Sequence, residues 1–250
     1  MNHIRAVFMK QLTSLIKVPI MIGMSMFFFV LSLLMIIFND GDSDCLSCIP
    51  AYICSECYAS AAFRLPESPI GMVMASVAGL ALVMYTAMLV NEDRNTGNFK
   101  FMSMATVNPW QYMAGAFASA FLVAMAIFIP FAVLGVVSED INLLLFMLVA
   151  MAGGAVAVFL GVTLGMAGSP LASIITPFVM GMLPMFSQAN ETISNLSQFV
   201  FTQQILVAIA DLDANLTRSF IIIAANGLVF FVIFILLHRK NKLRVDNFAM

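Results

Sequence analysis

Charge is what this chain has least of. Lys, Arg, Asp and Glu make up 10% of its 250 residues, and 62% are hydrophobic. A soluble domain carries about 25% charged residues, so the composition excludes a soluble globular core and makes this an integral membrane protein. The chain also lacks any basic cluster that could neutralise a run of phosphates, which excludes a nucleic-acid partner. No GxxxxGK[ST] phosphate loop is present, so the chain does not bind ATP in that way. No polar catalytic cluster sits at a membrane boundary, which argues against an integral membrane enzyme.

What is present is a series of long uncharged runs. Apolar stretches at 19–38, 70–90, 111–137, 143–167, 171–187 and 220–237 contain no Asp, Glu, Lys, Arg or His. Twenty residues at about 1.5 Å each cover the ~30 Å hydrocarbon core. The first run is too long for a signal peptide and ends in Asn39-Asp40-Gly41-Asp42 rather than at small residues. The fourth and fifth are separated only by Gly168-Ser169-Pro170. Together they are too long for one crossing, so two spans are expected. The fold expected is therefore all-α, with six transmembrane helices in one transmembrane domain covering 1–250. Ionisable groups within spans mark ion sites, proton relays and voltage sensors. Their absence argues against an ion-coupled carrier or a channel.

Residues 1–17 read as an interfacial helix. Ile4, Val7, Phe8, Leu12 and Leu15 form one face at helical spacing, and His3, Lys10, Thr13, Ser14 and Lys17 form the other. Lys and Arg set the orientation. Arg5, Lys10, Lys17, Arg94, Lys100, Arg239, Lys240, Lys242 and Arg244 fall on one side of six spans, and Arg64 and Arg218 on the other. Both termini and the 91–110 loop are thus expected in the cytoplasm, with 39–69 and 188–219 external. A multi-pass protein of the bacterial cytoplasmic membrane follows.

The 91–110 loop carries the most specific signal. Span two ends in Asp93-Arg94-Asn95-Thr96-Gly97, and Val107-Asn108-Pro109-Trp110 leads into span three, with Tyr112 and Gly115 beyond. With the basic N-terminal helix and six spans, these residues resemble the membrane-spanning (permease) subunit of a type-2 ABC transporter. That family commonly has Lys after the glycine, where this chain has Ala116. The resemblance implies a coupling helix docked on a separate ABC ATP-binding subunit, which binds ATP and Mg. It also implies a second copy or paralogue of the permease, and short external helices before the last span. The coupling residues expected are Glu92, Asp93, Arg94, Gly97, Phe99, Lys100, Phe101, Met102 and Pro109. Glu92 and Asp93 favour the start of a short helix, and the Phe and Met side chains suit docking.

The function expected is a non-catalytic permease subunit of an ATP-driven exporter, holding no cofactor itself. Its cargo would be amphipathic or hydrophobic, such as a peptide toxin, bacteriocin or drug. The alternative is a non-transporting membrane sensor, immunity or assembly protein. Met24, Phe28, Met84, Tyr85 and Met88, in the first two spans, are candidates for a substrate pathway bounded by lipid outside, because Met-rich surfaces re-pack around varied ligands. Gly153, Ala157, Gly161 and Gly165 form a small-residue ridge on span four, and Gly71, Ala75 and Gly79 a shorter one on span two. The stretch 193–210 mixes apolar and amide residues and suits a re-entrant or surface-lying helix pair.

Cys45, Cys48, Cys54 and Cys57 are spaced C-x2-C-x5-C-x2-C in the first external loop. The two pairs stand closer than in a zinc ribbon, and an external loop permits oxidation. Two local disulfides are therefore favoured over a metal site, with three connectivities open. Intact-mass measurement should show a gain of two hydrogens per bridge on reduction; an unchanged mass removes the disulfides.

Overall fold

The computed structural model describes residues 2–17, 19–41, 68–96, 109–138, 142–189, 191–210 and 212–246. The four cysteines lie outside the described residues, as do Gly97, Phe99, Lys100, Phe101 and Met102. All regular structure among the described residues is helical. In chain order the helices are α1 (Asn2–Lys17), α2 (Pro19–Gly41), α3 (Pro69–Asn95), α4 (Pro109–Ser138) and α5 (Leu143–Ala167). They continue as α6 (Pro170–Ala189), α7 (Glu191–Ser197), α8 (Phe201–Ala210) and α9 (Leu212–Asp246).

Four segments among the described residues are long and apolar enough to cross a membrane: Pro69–Asn95, Gln111–Val137, Leu143–Ala167 and Asn215–Leu237. They coincide with the second, third, fourth and sixth apolar runs and identify a membrane protein. The first and fifth runs lie in α2 and α6.

Local chemistry sets the helix ends. The Ser68 hydroxyl accepts from Gly71 N–H at 3.0 Å, and Pro69 follows at the first helical position. Asn142 Oδ1 accepts from Leu144 N–H at 3.0 Å and Leu145 N–H at 3.3 Å, opening α5. That helix stops at Gly168, whose φ of 69° is the left-handed conformation glycine tolerates. Pro170 then starts α6, so Gly168-Ser169-Pro170 is a turn between two helices.

The glycines of the small-residue ridges are used inside the chain. A Cβ on Gly161 would lie 2.6 Å from Thr86 Cβ and 2.8 Å from the Val83 carbonyl oxygen. One on Gly165 would meet Val90 Cβ at 2.6 Å. These contacts seat α5 against α3, side by side and pointing the same way. Gly153 receives Ile205 of α8, and Gly71 faces Ile209. Gly79 lies against the Gly181 backbone of α6, where a Cβ would stand 2.8 Å from Gly181 N. At this crossing α3 widens into a π-helical stretch, Val77–Leu82.

Two segments differ from expectation. The second apolar run continues as helix to Asn95, because no Gly or Pro interrupts it before Gly97. Glu92 and Asp93 therefore sit in the last turn of α3, not at the start of a new helix. Beyond α6, the 188–219 segment is largely helical, and α9 begins at Leu212 rather than 220. Of the expected re-entrant or surface-lying pair, α8 is buried and so not surface-lying, which leaves the re-entrant alternative. Phe201, Thr202 and Ala208 are fully buried, and Ile205 nearly so, where α8 packs among α3, α5, α6 and α9. Burying α8 covers apolar surface that α3 and α5 would otherwise expose.

The α3–α5 seam has a direct test. Gly161→Val forces two backbones apart and should lower stability by about 1–3 kcal/mol. Gly23→Ala, with no atom within 4 Å of the added Cβ, should not destabilise. Thermal unfolding in detergent measures both.

Candidate functional site

The end of α3 and the start of α4 are the two stems of the 97–108 segment, and α1 lies across them. Asp93 is the junction. Its side chain is 8% exposed, and a buried carboxylate must find donors or lose its charge. It finds three. Lys10 Nζ of α1 reaches Oδ1 at 2.6 Å. Gln11 Nε2 of α1 donates to Oδ2. The Tyr112 hydroxyl of α4 donates to the same Oδ2 at 3.0 Å. Gln11 Nε2 also lies 3.3 Å from the Tyr112 oxygen, closing the network. Lys10 remains 43% exposed and keeps part of its ammonium in solvent. The carboxylate thus joins three helices by charge-assisted hydrogen bonds.

Packing reinforces the junction. Val7, Tyr112 and Ala116 form a small buried apolar cluster. A Cβ on Gly115 would stand 2.8 Å from Val7 Cγ1 and 3.2 Å from the Ile4 carbonyl oxygen, so α1 rests directly on α4 there. Ala116 is fully buried. The lysine common at this position in the resembled family would here have to bury its charge beneath α1.

Arg94 points elsewhere. Its Nη1 donates to the Met166 carbonyl at 3.3 Å. The guanidinium fills the space over Gly168, where any side chain would collide with it. A cation at the carbonyl end of α5 is favoured by the helix dipole and by the free carbonyls of the last turn. Asp93 and Arg94, adjacent in sequence, therefore tie α3 to α1 and α4 on one side and to α5 on the other.

Of the expected coupling residues, Glu92 is exposed, whereas Asp93 is buried and Arg94 half-buried in contacts within the chain. Pro109 opens α4, and its side chain lies outside the described residues, like Gly97 and 99–102. The candidate pathway residues differ in burial. Phe28 and Tyr85 belong to the main apolar core, Met84 is half-buried and Met88 is 47% exposed. The Met24 side chain lies outside the described residues.

Sequence reasoning missed Gln11. The signal was present: α1 buries Val7 and Gln11, one turn apart, while Ile4 and Met9 of the same helix are exposed. A lone amide on a buried helix face marks a polar partner across the contact. Among the described residues no His, Cys, Asp and Glu group could hold a metal. The arrangement joins the two stems of 97–108 to each other and to α1.

No family model matches the chain, and neither a curated protein nor a solved structure does.

Tyr112→Phe removes one donor from a buried carboxylate and should lower stability by about 1.5–3 kcal/mol. Combined with Gln11→Ala, the effects should be non-additive, because both groups serve Oδ2. Glu92→Gln should stay within about 0.5 kcal/mol. Chemical unfolding of the four variants checks this.

Proposed function

We propose that this chain is the permease subunit of an ATP-driven exporter of the type-2 ABC kind. It spans the membrane six times, with both termini and the 97–108 segment in the cytoplasm. The observation that carries the reading is the Asp93 clamp. A segment that transmits force from a soluble motor needs rigid stems, and both stems of 97–108 are fixed to α1 and to each other by Lys10, Gln11 and Tyr112. Arg94 extends the fixture to α5.

The helix directions support the same reading. Contacts of Gly161 and Gly165 run α5 parallel to α3, and those of Gly227 with Val156 and Phe231 with Phe159 run α9 parallel to α5. Contacts of Phe117 with Phe159 and Phe128 with Gly154 run α4 opposite to α5. Gly181 against Gly79, with α6 starting beside Arg94, runs α6 opposite to α3. Alternation of this kind suits successive crossings, with α2 as the first and α6 as the fifth. It places the basic C-terminal end of α9 on the clamp side.

The chain supplies passage and the partner subunit supplies ATP hydrolysis, docking on Phe99, Lys100, Phe101 and Met102. A second copy or paralogue completes the passage for an amphipathic or hydrophobic cargo. Co-expression with a phosphate-loop ATPase and assay in vesicles tests this. Phe99→Ala/Met102→Ala should reduce cargo transport at least about tenfold while the ATPase retains basal hydrolysis. Transport at the unmodified rate, or failure of any ATPase to co-purify, refutes the reading and favours the non-transporting sensor or assembly role.

A further inference from the structure

At the end of the bundle opposite the clamp, α7, α8 and the start of α9 enclose a polar cleft of about 180 Å³. One water takes about 30 Å³, so the cleft admits a larger group. Its lining is amide-rich, and its one charge among the described lining residues is Arg218.

The hydrogen bonds show what the cleft offers. Gln204 is 3% exposed. Its Oε1 accepts from the Ser219 hydroxyl at 2.8 Å, and its Nε2 donates to the Gln198 carbonyl. Gln198 Nε2 donates to the Asn195 carbonyl at 2.8 Å, and its Oε1 accepts from Arg218 Nη2 at 3.2 Å. The two glutamines are thereby fixed, and each amide oxygen already receives a donor. Gln198 accepts from one arm of the guanidinium, Nη2. A guanidinium carries five N–H donors in a planar fork suited to oxyanions. The cleft is therefore built to present donors and positive charge to a group rich in acceptors.

Its surroundings narrow the choice. Arg218 is three residues into the apolar segment Asn215–Leu237, about one helical turn from its end. In a bilayer this depth is where headgroup meets acyl chain. Below Arg218 on α9, Ile221 is 65% exposed and Leu228 66% exposed, following it at helical spacing along one face. Leu196 and Phe199, next in sequence to the lining residues Asn195 and Gln198, are exposed. A cationic, donor-rich pocket whose Arg218 is followed on α9 by exposed Ile221 and Leu228 complements a molecule with an anionic head and hydrocarbon tails.

We infer that this cleft is a binding site for the phosphate headgroup of an acidic phospholipid, whose acyl chains follow the Ile221–Leu228 face of α9. Arg218 engages the phosphate oxygens, Gln198 holds the guanidinium through Nη2, and Gln204 fixes Gln198 through its carbonyl. This inference does not depend on the exporter reading.

The test titrates the purified full chain in detergent with phosphatidylglycerol, with diacylglycerol of the same chains and with inorganic phosphate, read by native mass spectrometry. Phosphatidylglycerol should be retained in preference to diacylglycerol, and inorganic phosphate should compete weakly. Arg218→Gln should weaken phosphatidylglycerol binding about tenfold or more, the loss of a charged bidentate contact. Arg218→Lys, which keeps the charge and loses the fork, should fall between. Equal retention of both lipids overturns the inference, as does unchanged binding in Arg218→Gln with native helix content by circular dichroism. Saturation by inorganic phosphate with no preference for the lipid assigns the cleft to a free anion and overturns the lipid assignment. Should Arg218→Gln not fold, Arg218→Lys decides: affinity equal to that of the unmodified chain counts against the site.

Discussion

A carboxylate taken out of water must be matched by donors, and the cost of leaving it unmatched is several kcal/mol. Asp93 is such a group at the margin of an otherwise apolar bundle. Its requirement for partners fixes where α1 lies, because Lys10 and Gln11 reach it from adjacent positions on that helix. It also fixes how α4 begins, because Tyr112 reaches it from the first turns. The exposed side of the network, at Lys10, keeps the charge pair hydrated enough to avoid full desolvation. Beside the carboxylate, α1 is held by its packing along α4, where Val7 meets Tyr112, Ala116 and Gly115.

Away from that end the bundle is held by shape. In lipid there is no hydrophobic drive between helices, so close approach and dispersion must serve. Glycine makes the approach possible at Gly161 and Gly165 of α5, and at Gly79 opposite Gly181. The large aromatics fill what remains: Phe128, Phe131, Phe146 and Phe201 are among the largest fully buried side chains. Phe29 and Phe131 pack edge to face with centroids 5.7 Å apart, which brings α2 to α4.

Much of this was legible in the sequence, and the reasons differ by element. Long uncharged runs can satisfy their backbones only as helices in lipid, so α3, α4, α5 and the apolar part of α9 followed from composition. The turn at Gly168-Ser169-Pro170 followed from length and from glycine and proline chemistry. The small-residue ridge on α5 followed from its spacing. The partners of those residues were not legible, since periodicity names a face and not its neighbour. Asp93 and Arg94 read as exposed loop charges because a charged triplet after an apolar run resembles a loop. Only the opposing helices show that one faces α1 and α4 and the other the end of α5. Gln11 and Gln204 were hidden for the same reason: a buried amide is recognised by what stands across from it.

The contrast along α3 gives these contacts a common consequence. At its last turn α3 is tied through its own charged residues, Asp93 and Arg94, to α1, α4 and α5. In its middle it contains Ser76 and Tyr85, and it faces Thr202 of α8. These three buried hydroxyl groups make no hydrogen bond among the described residues. Each such group left unsatisfied costs about 1–3 kcal/mol. The same stretch includes the π-helical turn Val77–Leu82 and the backbone-to-backbone contact of Gly79 with Gly181. Thr202 Cγ2 stands against Gly79 as well, so α3, α6 and α8 meet where polar satisfaction is poorest. A helix clamped at one end and under-satisfied where it meets two neighbours has its least costly opening at that meeting point.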